Sequence, residues 1–413
     1  MRSQAPSTWR ESSPGIYSRP LDEPDLYYTT NAKVWERTGQ TADTTVLLWH
    51  PVSSVTLKPS SGIGYLRWPM TIDKWLDETF TVKCGSQTAK EFLDFDPPVP
   101  FSALFVFSDP GTKQSKLGTI KYNIVLRCGH DVIDSMAAYA FLEKLLGFTA
   151  EAFKSKENIP DVIFGNEYRN LPPPFRAVLA KNGYSIPGKT RFSTLTFSAN
   201  VTQAIHAAIA LAVRDLQPCG DVERQGKYVS YAIMSLRKFC QEPYNGPEYT
   251  MMTCYANSTC LMVVDVTIPS FLTTVNRQSP KEFAIVLEKV RTFYQEEAIP
   301  KDMLEAALCL AARTPVYPSS SSPMPTPSQS ASVSLSSRGI TDHYVKSRYG
   351  QFEVLDPWCM GTELSNALEV ALNTWKGETC LQAGYNAVFQ EHRDVDLFLE
   401  SVKRIVLQGL EID

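Results

Sequence analysis

The chain has 413 residues, more than the roughly 250–300 that one hydrophobic core usually supports, so two domains are expected. With 43% hydrophobic and 20% charged residues it reads as an ordinary globular protein, neither disordered nor fibrous. Its 40 basic and 44 acidic residues leave a net charge of −4, which gives no electrostatic basis for binding nucleic acid or an anionic membrane.

The N-terminus, Met1 to Pro6, lacks the apolar run of a secretory signal, and no stretch of about 18 apolar residues occurs anywhere. Nine cysteines, an odd number, are scattered without a C-x-x-C pair, which argues against zinc and against a disulfide framework. A cytoplasmic protein with reduced thiols is the expectation, and the sequons at Asn200 and Asn257 then carry no meaning. The first thirty residues, rich in Ser, Pro and Tyr, read as an extended arm. Apolar runs follow at Thr45–Trp49 and Phe101–Phe107, then the turn Ser108-Asp109-Pro110-Gly111.

From about Thr119 to Cys128, apolar Ile120, Tyr122, Ile124, Leu126 and Cys128 alternate with Lys121, Asn123 and Arg127, the period of a half-buried strand. A helix is predicted over Ser135–Leu146, with Gly147 stopping it. Residues 165–190, with three consecutive prolines and several glycines, read as the connector between a first lobe over 1–175 and a second over 176–413. The second lobe opens with a predicted strand at Arg191–Phe197. A helix follows Asn200, whose capping partner is Gln203, and it is Ala-rich to Leu211. Ser279-Pro280-Lys281-Glu282 starts another helix, with Phe283, Val286, Leu287 and Val290 facing inward. Pro315–Ser334 is dominated by Ser and Pro and reads as a mobile surface loop. A hairpin should turn at Lys376-Gly377, and a closing helix should span Asp394–Leu407 with Val395, Phe398, Leu399, Val402, Ile405 and Val406 on one side. Strands and helices alternate without a regular βαβ rhythm, so a mixed α/β architecture of two lobes is expected.

Two patterns invite a nucleotide-binding reading. Gly183–Thr190 fits G-x-x-x-x-G-K-T, and Leu261–Val264 could be a strand ending in the carboxylate of Asp265. A phosphate loop needs a buried strand before it and a helix starting at its lysine, so that backbone N–H groups converge on the anion. Here a short helix or coil precedes the pattern and a strand follows it, and a Gly/Pro-rich connector is the better account.

The chemistry is carried elsewhere. In Cys128-Gly129-His130-Asp131-Val132-Ile133-Asp134-Ser135, a histidine sits where a strand gives way to a helix, a place where rigid elements on both sides can hold an exposed ring nitrogen. Asp134 lies at the helix start and suits an N-cap. By itself H-x-x-x-D is a weak pattern, but the unit as a whole resembles the H-x-x-x-D-[GS] motif of the CoA-dependent acyltransferase superfamily. That superfamily contains chloramphenicol acetyltransferase, plant alcohol acyltransferases, carnitine acyltransferases and peptide-synthetase condensation domains. Asp356-Pro357-Trp358-Cys359-Met360-Gly361 is similar to its second signature, longer by one residue and with Pro357 inside it. Ser334–Gly339, Thr374–Gly377, Tyr385-Asn386, Trp9–Glu11 and Tyr17–Leu21 resemble fungal secondary-metabolite O-acetyltransferases of the trichothecene type. Gly129 stands where many members have a second histidine, and Ser135 where glycine is usual.

The resemblance implies a two-lobed chloramphenicol-acetyltransferase-like α/β fold with the active site between the lobes, and an O-acyltransferase using an acyl-CoA, acetyl-CoA for preference, as co-substrate with no bound cofactor and no metal. It implies that His130 is the general base, and that Asp134 points away from substrate and pairs with an arginine. A hydroxyl from the opposite lobe, Ser336 or Ser337, would meet the oxyanion, and Asp356, Trp358 and Gly361 would shape the donor side. The acceptor would be a small-molecule alcohol and the protein a monomer. Two other readings stand beside this one: the same fold turned to cyclisation of a polyketide or terpenoid without an acyl donor, or a binding module without catalysis. His206, among Ile205, Ala207 and Ala208, reads as a satisfied core residue. His50, His343 and His392 lack a partner pattern, and neither a G-x-S-x-G elbow nor a metal-spaced histidine pair is present.

Overall fold

The computed structural model describes residues 9–13, 16–20, 43–46, 55–58, 63–67, 72–94, 102–108, 121–130, 132–155, 173, 175–178, 200–242, 244–246, 253–258, 260–271, 280–298, 333–363 and 366–412. In the first part of the chain these form β1 (Arg10–Ser13), β2 (Ile16–Pro20), β3 (Asp43–Val46), β4 (Val55–Lys58), β5 (Ile63–Arg67), α1 (Ile72–Thr79), β6 (Phe80–Lys83), α2 (Ala89–Asp94), β7 (Ala103–Ser108), β8 (Tyr122–Gly129) and α3 (Ser135–Ser155). Then come α4 (Phe175–Val178), α5 (Val201–Asp215), β9 (Arg224–Ser230), β10 (Ile233–Ser235), β11 (Tyr255–Asn257), β12 (Met262–Ile268) and α6 (Pro280–Thr292). The chain closes with β13 (Val333–Ile340), β14 (Arg348–Tyr349), β15 (Phe352–Glu353), β16 (Cys359–Gly361), β17 (Leu368–Trp375), β18 (Glu378–Tyr385) and α7 (His392–Gly409).

The element that positions the site is a five-stranded sheet in the order β16-β3-β8-β7-β6. Leu126 and Cys128 of β8 and Leu104 of β7 pack on one face against Ala137, Ala138, Phe141 and Leu142 of α3. On the other face Val125, Phe105 and Phe107 meet Phe92 of α2. Both faces of β8 are therefore covered, which corrects the half-buried reading: Tyr122 is exposed, while Arg127 is buried completely. Nor does α3 end at Gly147. The helix continues to Ser155 because its last turns have somewhere to dock. Ala150 stays buried, and Phe153 meets the Phe352 ring edge-on at 5.1 Å. An interior glycine costs a helix about 1 kcal/mol, and two further turns with packing contacts outweigh it.

The second core gathers around α5. Asn200 and Gln203 form the expected reciprocal cap, and residues from Gln203 to Ala212 are buried on every side of the helix, as befits one apolar around its whole circumference. The helices α6 and α7 flank it with Phe283, Val286, Leu287, Val290, Val395, Phe398, Val402 and Ile405. Beneath them lies the sheet β13-β17-β18, whose inward face carries Val333, Leu335, Leu368, Val370 and Leu372. Glu282 in the first turn of α6 pairs with the buried Arg214 of α5. The turn at Lys376-Gly377 has φ values of 50° and 81°, and joins β17 to β18 as a two-residue hairpin. The helix α7 begins two residues earlier and ends two later than its apolar stripe suggests.

Other expectations shift. Part of the N-terminal arm is sheet: β1 and β2 pair with each other and join β5 and β4 in a four-stranded sheet. The Ser/Pro-rich segment lies outside the described residues except for its end, where Val333 and Ser334 are buried in β13. Thus Ser334 belongs to a strand and not to a loop. Gly183–Thr190, Arg191–Phe197 and most of the connector also lie outside the described residues. Asp265 is exposed within β12, which pairs antiparallel with β9, whereas nucleotide-binding sheets place such a carboxylate at the end of a parallel strand.

Gly147 supplies a direct test of the helix register. A Cβ there would have nothing within 4 Å, so Gly147→Ala should raise stability by about 0.5–1 kcal/mol in chemical denaturation. A left-handed helix stop at this position would give destabilisation instead.

Candidate active site

The turn that carries His130 is closed by its own backbone. The Gly129 carbonyl accepts from Val132 N at 3.1 Å and from Ile133 N at 3.3 Å. The imidazole is held in the same way, its Nδ1 lying 3.1 Å from the Ile133 carbonyl oxygen. A carbonyl can only accept, so Nδ1 carries the hydrogen of the neutral ring and Nε2 presents a lone pair. The ring is half-buried, with Tyr255 of β11 facing it at 5.4 Å and 31°. Thr253 Oγ1 donates to the His130 carbonyl at 3.3 Å.

Four residues on, Asp134 is a helix cap and an ion-pair partner at once. Its Oδ1 accepts from Met136 N at 3.1 Å and Ala137 N at 2.9 Å, closing the first turn of α3. The same carboxylate takes Arg237 in a two-pronged pair, Nη2 to Oδ1 at 2.7 Å and Nη1 to Oδ2 at 2.9 Å. Cys254 N adds a further bond to Oδ2 at 2.8 Å. Arg237 thus fills the place of the arginine that sequence alone left unnamed. Asp134 is 3% exposed, and its partners Arg237 and Cys254 lie next to β10 and β11 in the chain. Burial opposes the charge on Arg237, but Asp134 outweighs it and raises the guanidinium pKa.

The two serines of β13 part company. Ser337 is hydrogen-bonded to Thr202 Oγ1 at 2.7 Å, at the start of α5. Ser336 stands on the opposite face of the strand and turns toward Glu369 of β17. In the second signature, Asp356 is exposed and Trp358 half-buried. Gly361 lies in β16, against the Glu369 carboxyl. Sequence reasoning passed over Arg237, Thr253, Cys254, Tyr255 and Glu369, and met Arg338 only as part of the Ser334–Gly339 likeness. Of those passed over, Glu369 alone left a trace, as an acidic residue inside the apolar run Leu368–Leu372.

The other histidines take no part. His206 is wholly buried and bonded to Tyr294, Tyr228 and Ser230, at 3.0, 3.1 and 3.2 Å, and burial pushes its pKa down to about 3. It is a neutral core residue at any ordinary pH. His392 bonds to Tyr385 on the surface, His343 is exposed, and His50 lies outside the described residues. Among the described residues no group of His, Cys, Asp and Glu is arranged to hold a metal ion, and no helix is long and apolar enough to cross a membrane.

Because a carboxylate that bonds a buried guanidinium cannot be removed without stranding the cation, Asp134→Asn should lower stability by about 3–5 kcal/mol. A plain cap would give almost no change, since Asn caps a helix about as well as Asp. Denaturant unfolding of the native and variant proteins separates the two.

No family model matches the sequence, and no curated protein sequence does either. Solved structures do match. The trichothecene 15-O-acetyltransferase of Fusarium sporotrichioides superimposes with a TM-score of 0.73 at 14% identity, over 98% of both chains. The epimerization domain from the third module of tyrocidine synthetase B aligns over 97% of this chain and 98% of its own, at 11% identity and a TM-score of 0.49. The condensation domain of the Monacolin K polyketide synthase MokA covers 95% and 97%, at 10% identity and again 0.49. The chain therefore shares the mixed α/β fold of the acetyltransferase structure.

Proposed function

We propose that the protein is an O-acyltransferase that moves an acyl group, acetyl for preference, from a CoA thioester to an alcohol of a secondary metabolite. The observation that carries this reading is the hydrogen bond from His130 Nδ1 to the Ile133 carbonyl, which leaves Nε2 as a fixed acceptor. The fold supports it, being shared with an acetyltransferase of trichothecenes.

In the reaction the acceptor hydroxyl gives its proton to His130 Nε2 while its oxygen bonds to the thioester carbonyl carbon. The resulting oxyanion needs a donor already in place. Ser336 is the better candidate of the two serines, because it stands on the strand face that carries Glu369, whereas Ser337 faces Thr202 at the start of α5. As the tetrahedral intermediate collapses, the C–S bond breaks and the thiolate leaves with the proton held by His130. No acyl-enzyme forms. Asp134 acts at a distance from these atoms: by tying the turn to Arg237 and Cys254 it keeps the imidazole aimed. Asp356, Trp358 and Gly361 are assigned to the donor side, and the protein is taken to act in the cytoplasm as a monomer.

Replacing the base tests the reading. His130→Ala should lower turnover about 10²–10⁴-fold while leaving the unfolding midpoint nearly unchanged. Product formed by the native protein without any thioester would instead indicate a cyclase. The serines give a finer test. Ser336→Ala should cost about 10²–10³-fold in turnover, and Ser337→Ala should change stability more than rate.

A further inference from the structure

Strand β17 has two unlike faces. Leu368, Val370 and Leu372 join the second core, so Glu369, Ala371 and Asn373 face the other way. Beside them in register stand Ser334 and Ser336 of β13, with Gln382 and Gly384 of β18. On this polar face the Glu369 carboxyl is confined from three directions. Arg338, its side chain 3% exposed, brings Nη2 to 3.7 Å from Oε1. The hydroxyl of Ser336 is turned toward the carboxyl. On the third side Oε2 lies so close to Gly361 that a methyl group there would stand 2.9 Å away. Glycine at 361 thus makes the space that the carboxyl occupies.

The sheet fixes how far this group is from His130. Gly361 pairs with Thr44 of β3, and Thr44 pairs with Cys128 of β8, two residues before His130. Two strand spacings of about 4.8 Å place the carboxyl on the order of 10 Å from the histidine turn. The Glu369 side chain remains 21% exposed. Burial raises its pKa above the ordinary carboxylate range, opposed by Arg338, then His130, with Glu363 adding to the rise and Ser336 opposing it. These are the charged and polar groups that face it; Tyr139 and Cys359 flank Arg338 from behind.

We propose that Glu369 is a positioning residue for His130, its carboxylate steadying the positive charge that the imidazole gains on taking the acceptor's proton. The proposal rests on the reading of His130 as the base. Glu369 itself takes no proton in the cycle: the proton passes from acceptor oxygen to Nε2 and on to the thiolate.

The test compares the native protein with Glu369→Gln in acetyl transfer from acetyl-CoA to an alcohol library. At about 10 Å and an effective dielectric near 20, loss of the carboxylate should lower kcat about tenfold and move the acid limb about one pH unit toward acid. A second readout needs no substrate: the pH midpoint for carbethoxylation of His130 by diethyl pyrocarbonate, followed in the peptide that contains it. That midpoint should move by the same amount in the same direction, whereas damage to the fold alone would lower activity and leave it in place. An unmoved midpoint overturns the proposal whatever happens to acetyl transfer. A native protein that transfers no acetyl group yet shows the shift overturns the assigned reaction and upholds the coupling of Glu369 to His130. If Glu369→Gln does not fold, Glu369→Asp decides: its retracted carboxylate should give a smaller shift of the same sign, and none would overturn the proposal.

Discussion

The Asp134 carboxylate receives hydrogen bonds from three separate stretches of chain: the first turn of α3, the guanidinium of Arg237 and the backbone of Cys254. Moving charges into a protein interior is costly, and such a pair survives only when geometry is good and the remaining lone pairs are used. Here both conditions hold. The turn from Gly129 to Ile133 consequently has little freedom, since its downstream end is pinned to residues far away in sequence and its upstream end is the central strand of a sheet. A histidine ring aimed by a single carbonyl can keep its direction only because that carbonyl belongs to so constrained a turn. Thr253 and Tyr255, from the later part of the chain, also touch the turn directly. The fixed direction of this ring is thus a property of both halves of the chain.

Much of this was legible from residues alone, for reasons that can be stated locally. The Asn200–Gln203 cap, the proline opening α6 and the Lys376-Gly377 turn are short-range events whose partners lie within four residues, so spacing suffices to find them. The strand–histidine–helix junction had the same character. The failures came where a distant partner decided the outcome. Gly147 continues a helix because Phe352, some two hundred residues later, supplies packing beyond it. Arg127 looks like a solvent-facing residue in an alternating strand, yet a second layer covers that side of the sheet. Arg237 sits in a segment with no motif, and nothing near it in sequence points to Asp134. Glu369 was visible only as an oddity within an apolar run, because its role depends on which strands flank β17.

The sheet β13-β17-β18 shows how one structural element can serve two environments. Alternation along each strand sends aliphatic side chains toward α5, α6 and α7 and small or polar ones toward the first sheet. A one-residue slip would exchange the two sets, burying Glu369 among leucines and exposing Val370. The bulge between Ser337 and Gly339 permits a local exception, letting Arg338 turn toward Tyr139 and Cys359. Fold likeness at 14% identity is then unsurprising: the alternation can be met by many sequences, while the few side chains on the polar face are free to differ.

The pairing of β16 with β3 has a consequence for the birth of the protein. Cys359 and Gly361 close an edge of a sheet whose other strands all lie before residue 130. During synthesis at about 5–20 residues per second, the roughly three hundred residues between β3 and β16 take on the order of 15–60 s to emerge. Throughout that interval the outer side of β3 has unpaired backbone donors and acceptors, the kind of edge that invites pairing with another chain. The nascent chain before β16 should therefore be a strong client for chaperones on the ribosome, and release from them should await the appearance of that three-residue strand.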